Sequence, residues 1–154
     1  MGTTPTLGFL LHDVARLLRK RFEQRSRAAR LTRSQWQVLA YLAGNEGIHQ
    51  SALAELLDIE PITLVRLIDR MEARGLVERR HHATDRRVWL LFLQPEARPL
   101  LEIMRHTGHL TREEAFSGIS PAERDRLLQT LSLIKSNLLD ACGQPVEEQE
   151  AHHG

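Results

Sequence analysis

Cysteine is almost absent from this chain: Cys142 is the only one in 154 residues. A lone thiol closes no internal disulfide and fits a reducing compartment, so a cytoplasmic location is expected. Aromatic residues make up 5% of the chain, too few for stacking along a single strand to be the main mode of binding. No apolar run approaches the roughly 18 residues that a membrane span needs, so no membrane partner is expected. The first residues, Met1 to Pro5, lack the charged-then-apolar pattern of a secretion signal. Neither sign of charge dominates, with 21 Lys plus Arg against 20 Asp plus Glu and a formal net charge of +1. Only the distribution of charge can therefore point to a partner.

Catalytic signatures are missing as well. There is no Gly-x-Ser-x-Gly, no phosphate-cradling glycine loop, no Cys-x-x-Cys and no His-Glu-x-x-His. The sequence argues against an enzyme, and neither catalytic residues nor a cofactor are expected. Of the eight histidines, His106 and His109 lie three apart and His81 and His82 are adjacent. Zinc wants three or four converging ligands. No metal site is expected, and a metal-responsive regulator stands only as an alternative.

What is present is helical periodicity interrupted once by strands. Leu7, Leu10, Leu11, Val14, Leu17, Leu18 and Phe22 recur at three- and four-residue steps, predicting a long helix over residues 5 to about 29. That stripe is too long for a small domain to cover, so a partner helix is implied. Thr32 to Gln35 reads as a capping box opening a helix that carries Trp36, Val38, Leu39 and Leu42. Gly44 and Gly47 break the chain, and Ile48 suits one short strand. A short helix is expected over Gln50–Leu57. Pro61 suits the first position of the next helix, which should run to Arg74 and stop at Gly75.

Two short strands follow, around Val77 and over Val88–Leu93, joined by a loop that ends in Asp85-Arg86-Arg87. On the second strand, Trp89, Leu91 and Leu93 alternate with Val88, Leu90 and Phe92, so neither face is evidently wet. Pro95 opens a helix carrying Ala97, Leu100, Leu101, Met104 and Leu110, with Gly108 weakening its middle. Ser120 to Glu123 reads as a second capping box. The last helix carries Leu127, Leu128, Leu131, Ile134, Leu138 and Leu139 and ends at Gly143. The acidic, polar tail over 144–154 is expected to be disordered.

The expected fold is mainly α with a small β-hairpin wing. Residues 31–94 would form a winged helix-turn-helix, and 1–30 with 95–143 a helical dimerisation region. On the helix from Pro61, Leu64, Val65, Ile68 and Met71 should face the core, leaving Thr63, Arg66 and Arg70 on another side. Arginine reaches guanine O6 and N7 with two bonds, and threonine suits a thymine methyl or a phosphate. Residues 61–87 hold seven arginines (66, 70, 74, 79, 80, 86 and 87) against four acids (69, 72, 78 and 85), so 7 − 4 gives +3, more than the whole chain. An arginine at a hairpin tip, Arg86 or Arg87, can enter a narrow A·T-rich minor groove. Asp85 would hold one guanidinium by a charge-assisted bond. Arg33, near a helix start, is a further candidate for phosphate. A winged helix repurposed for protein contact is the main alternative, and it calls for an apolar face where these arginines stand.

The chain resembles the MarR family of bacterial transcriptional regulators, and within it the SlyA-like members. Asp85, Arg87, Leu91 and Leu93 match the wing signature, with Gln94 in place of the usual threonine. Leu64-Val65-Arg66, Asp69-Arg70-Met71-Glu72, Gly75-Leu76-Val77, Leu31-Thr32, Trp36 and Gly118-Ile119-Ser120 are also similar. His49 and Glu60 depart from it, standing where helix-capping Thr or Ser is usual. The resemblance implies a homodimer, repression, and a pseudo-palindromic double-stranded DNA operator with half-sites roughly 34–36 Å apart. It also implies release by a small aromatic or anionic ligand, for which His12, Arg16 and Trp36 are the candidate contacts.

Overall fold

The computed structural model describes residues 4–146. Its elements are α1 (Leu7–Ser26), a single 3-10 turn (Arg27–Ala29), α2 (Arg33–Ala43), β1 (Ile48–His49), α3 (Gln50–Leu57), α4 (Pro61–Ala73), β2 (Val77–His81), β3 (Trp89–Leu93), α5 (Ala97–Ala115) and α6 (Pro121–Cys142). The three strands form one antiparallel sheet in the order β1-β3-β2. The chain divides into one compact unit that ends at Ala115 and another that begins at Phe116. Of the tail expected to be disordered, residues 147–154 lie outside the described residues.

Local chemistry sets the element boundaries. The Thr32 side chain accepts from the Gln35 amide at 3.2 Å, and the Gln35 side chain accepts from the Thr32 amide at 3.1 Å. Two orphan donors at the start of α2 are thereby satisfied reciprocally. At the end of α4, Gly75 takes φ +71°, Leu76 N–H reaches Met71 C=O at 3.0 Å and Gly75 N–H reaches Glu72 C=O at 2.9 Å. This left-handed stop turns the chain straight into β2. Ser120 accepts from the Glu123 amide at 3.3 Å, one half of the expected box. His49 and Glu60 begin α3 and α4 without a side-chain cap.

The core of the first unit gathers Trp36, Val38, Leu39 and Leu42 of α2, Leu53 of α3, Leu64, Leu67, Ile68 and Met71 of α4, Val77, Leu91 and Leu93 of the hairpin, and Ala97 and Leu101 of α5. One expectation is corrected on α4. Leu67 is buried, whereas Val65 is only half-buried. At about 100° per residue, Leu67 lies nearer the middle of the arc formed by Leu64, Ile68 and Met71 than Val65 does.

A second correction falls on α5, which starts at Ala97 rather than Pro95 and runs unbroken past Gly108. Thr107 and Thr111 are buried on it, and Leu110 is exposed. Helix α1 packs along α5, and the Thr111 hydroxyl is satisfied there. Thr111 donates to the Thr107 carbonyl at 2.8 Å and accepts from Arg25 at 3.0 Å.

The double-sided apolar pattern of β3 also has its explanation. Leu91 and Leu93 enter the core. On the opposite face, the Arg80 guanidinium lies 4.0 Å from the centre of the Phe92 ring. Trp89, beyond the core end of the strand, stacks on His81 at 3.9 Å. Cationic and aromatic neighbours thus cover what water would otherwise meet.

In the second unit, Arg124 donates to the carbonyls of Ile119 and Phe116 at 2.9 and 3.1 Å, fixing the turn before α6. None of the residues of α6 is buried, and Leu127, Leu128, Leu133, Leu138 and Leu139 are exposed.

Candidate nucleic-acid interface

Helix α4 presents Ile62, Thr63, Arg66, Asp69 and Arg70 to solvent, opposite its buried arc. Neither Arg66 nor Arg70 forms an ion pair among the described residues. Their donors are therefore available to an incoming ligand.

The wing tip is organised by Asp85 and two histidines. Asp85 Oδ1 accepts from the Arg87 backbone amide at 3.0 Å and from its Nε at 3.2 Å, while Oδ2 accepts from the terminal nitrogen at 3.3 Å. These bonds hold the Asp85 carboxyl below its ordinary range, the side-chain bond from Arg87 being the largest cause. The Arg87 side chain is nonetheless 91% exposed. His82 Nδ1 accepts from the amides of Thr84 and Asp85 at 3.2 and 3.3 Å. His81 Nδ1 lies 3.0 Å from the Arg86 carbonyl, where it must donate. Arg86 is exposed beside them.

The basic surface is smaller than the sequence count suggests. Arg79, 12% exposed at its side chain, is directed inward. It donates to Gln50 at 2.9 Å, Asp69 at 2.7 Å and the Val65 carbonyl at 3.1 Å. Arg80 pairs with Glu78 at 3.0 Å, and Arg74 donates to the Arg30 carbonyl at 3.1 Å. Of the seven arginines over 61–87, Arg66, Arg70 and Arg86 keep their guanidiniums unengaged among the described residues, and Arg87 is paired yet outward. Arg33 is taken by Glu23 at 2.6 Å, which depresses the Glu23 carboxyl.

Residues 31–88 match the model of the MarR family. The structure of the transcriptional regulator PA3341 is 32% identical and superposes with a TM-score of 0.78, covering 88% of this chain and 99% of that one. The chain belongs to the MarR family. A transcriptional repressor, CouR, solved bound to a 23-mer DNA duplex, is 28% identical, with a TM-score of 0.72 over 84% of this chain and 92% of that one. SlyA shares the fold at 24% identity, with a TM-score of 0.73 over 85% and 92%.

This MarR-family chain also has a cleft of about 540 Å³ between α1, α2 and α5. Leu18, Phe22, Trp36, Ala40 and Met104 supply its apolar wall. Trp36, 4% exposed, meets Phe22 edge-on at 5.8 Å. Its Nε1 and the Nε of Arg19 are buried without a hydrogen-bond partner among the described residues. Both residues border the cleft, together with Arg33 and Arg112. Of the three residues expected to meet a ligand, only Trp36 lies here. His12 is exposed on α1, and Arg16 pairs with Asp13 at 3.6 Å on the surface. Arg19, one turn further along α1, is the arginine of that helix that borders the cleft. Spacing alone cannot distinguish Arg16 from Arg19; only the path of α2 and α5 does.

Among the described residues, no group of three or more His, Cys, Asp or Glu is placed to hold a metal ion. No helix among them is long and apolar enough to cross a membrane. Cys142 is exposed at the end of α6.

Proposed function

We propose that this chain is a homodimeric, sequence-specific regulator of transcription that binds double-stranded DNA. The observation that carries this reading is the pair of unengaged guanidiniums, Arg66 and Arg70, on the exposed side of α4, in the same module as an arginine-tipped hairpin. Helix α4 enters the major groove, and Thr63, Arg66 and Arg70 meet base edges and phosphates. Arg87, steered by Asp85, and Arg86 reach the flanking minor groove. CouR, bound to a duplex, supports the same use of the fold here. Arg33 is a weaker phosphate contact, because Glu23 must first release it.

Dimerisation is supported by uncovered apolar side chains. Leu7, Phe9, Leu10, Leu11, Val14 and Leu17 are exposed on α1, and α6 exposes its own leucines. Such stripes require a partner surface, and a second copy offers the same stripes for a symmetric match. The outcome at the promoter is repression, relieved by a small aromatic or anionic ligand. The cleft supports that reading: Phe22 and Trp36 suit an apolar ring, and Arg19 Nε and Trp36 Nε1 are donors without acceptors among the described residues. A cytoplasmic location accompanies this function.

The test is a gel shift of the full chain against the DNA upstream of its own gene. A salt-sensitive complex is expected, weakened strongly by Arg87→Ala. Equal binding by that variant removes the wing assignment. A stable monomer by gel filtration removes the symmetric operator.

A further inference from the structure

On the exposed side of α4, Ile62 is the one large apolar side chain, and it is 58% exposed. It belongs to neither the core nor the stripes of α1 and α6. It stands one turn before Arg66 and beside Thr63, at the second position of the helix. Three acids, Glu55, Asp58 and Glu60, are exposed around the turn that leads into it. They repel phosphate, so the first turn of α4 suits the floor of a groove better than its walls. In the major groove, the apolar group on the base edges is the C5-methyl of thymine.

We propose that Ile62 is a specificity-determining residue that reads a thymine methyl group in each half-site. This inference rests on the DNA-binding reading and adds a base identity to it. Helical rise places Ile62 about 6 Å along the axis from Arg66, close to two base steps. The thymine therefore lies within about two base pairs of the guanine that Arg66 contacts.

The test begins with a duplex selected by the full wild-type chain from a random library. Each thymine is then replaced in turn, in both half-sites, by deoxyuridine, which removes only the methyl group. Wild type should lose about four-fold in affinity for each substituted half-site at one symmetric position, the loss of one buried methyl contact. Ile62→Ala should bind the thymine duplex correspondingly more weakly and show no deoxyuridine penalty at that position. Arg66→Ala should retain the penalty. If no position responds to deoxyuridine, or Ile62→Ala keeps the full penalty, the assignment is overturned while DNA binding stands. If wild type selects no duplex at all, the DNA-binding reading falls and this assignment with it.

Discussion

Arg79 of β2 donates to the backbone carbonyl of Val65 in α4 at 3.1 Å. The same guanidinium reaches Asp69 of α4 and Gln50 at the start of α3. One half-buried arginine thus joins the three elements that a helix-turn-helix and its wing must hold in register. Arg79→Ala is expected to destabilise the fold by about 1.5–3 kcal/mol, the range for hydrogen bonds to charged groups. Urea denaturation measures it. Arg79→Lys should recover only part, because an ammonium lacks the planar fork that meets three acceptors at once.

The wing makes a second prediction. Asp85→Asn keeps the shape of the loop but removes the charge that steers Arg87. DNA affinity should fall, yet less than in Arg87→Ala, because the guanidinium remains. Fluorescence anisotropy with a selected duplex ranks the two variants. A larger loss in Asp85→Asn than in Arg87→Ala would place the important group on the carboxylate.

Acid lability should centre on Glu114. Arg21 donates to it at 2.8 and 3.1 Å, Arg25 donates as well, and these bonds lower its pKa from 4.5 to about 2. A carboxyl depressed in the fold contributes stability that is complete above its unfolded value and lost as pH falls through the folded one. The clasp between α1 and α5 should therefore weaken between pH 4.5 and about 2. Glu114→Gln should lower the melting temperature at pH 7 and flatten its dependence on pH across that window. Parallel pH profiles for wild type and variant would refute this role.

Missing caps offer a gain. Glu60 precedes α4 without a side-chain hydrogen bond. Glu60→Ser should stabilise the chain by about 1 kcal/mol, and Thr32→Ala, which breaks an existing cap, should cost a similar amount. Thermal melts of both variants test the pair.

Much of the architecture was legible because it rests on local rules. Thr32 with Gln35, Pro61 and Gly75 mark boundaries through bonds that span a few residues. The exposed arc of Thr63, Arg66 and Arg70 follows from helical geometry once Leu64, Ile68 and Met71 are taken as core. What sequence could not supply was partnership across elements. Arg79 counts as positive charge in a composition but is consumed by acceptors from α3 and α4. Thr107 and Thr111 read as polar, yet they are buried because α1 lies over them and the Thr107 carbonyl accepts a hydroxyl. The burial of Leu67 over Val65, by contrast, was open to sequence, because the 100° step puts Leu67 nearer the arc of Leu64, Ile68 and Met71. Arg19 and Arg16 differ by one turn, and the position of the cleft separates them.

The most direct measurement is an anisotropy titration of a selected duplex with wild type and with the doubly substituted Arg66→Ala, Arg87→Ala chain, at one fixed salt concentration. The expected result is a loss of affinity of at least about ten-fold, since each arginine contact to a base contributes roughly 1–3 kcal/mol. The folded double variant should keep the wild-type melting temperature, because Arg66 and Arg87 are exposed. Undiminished affinity in that variant would contradict the placement of α4 and the wing against DNA.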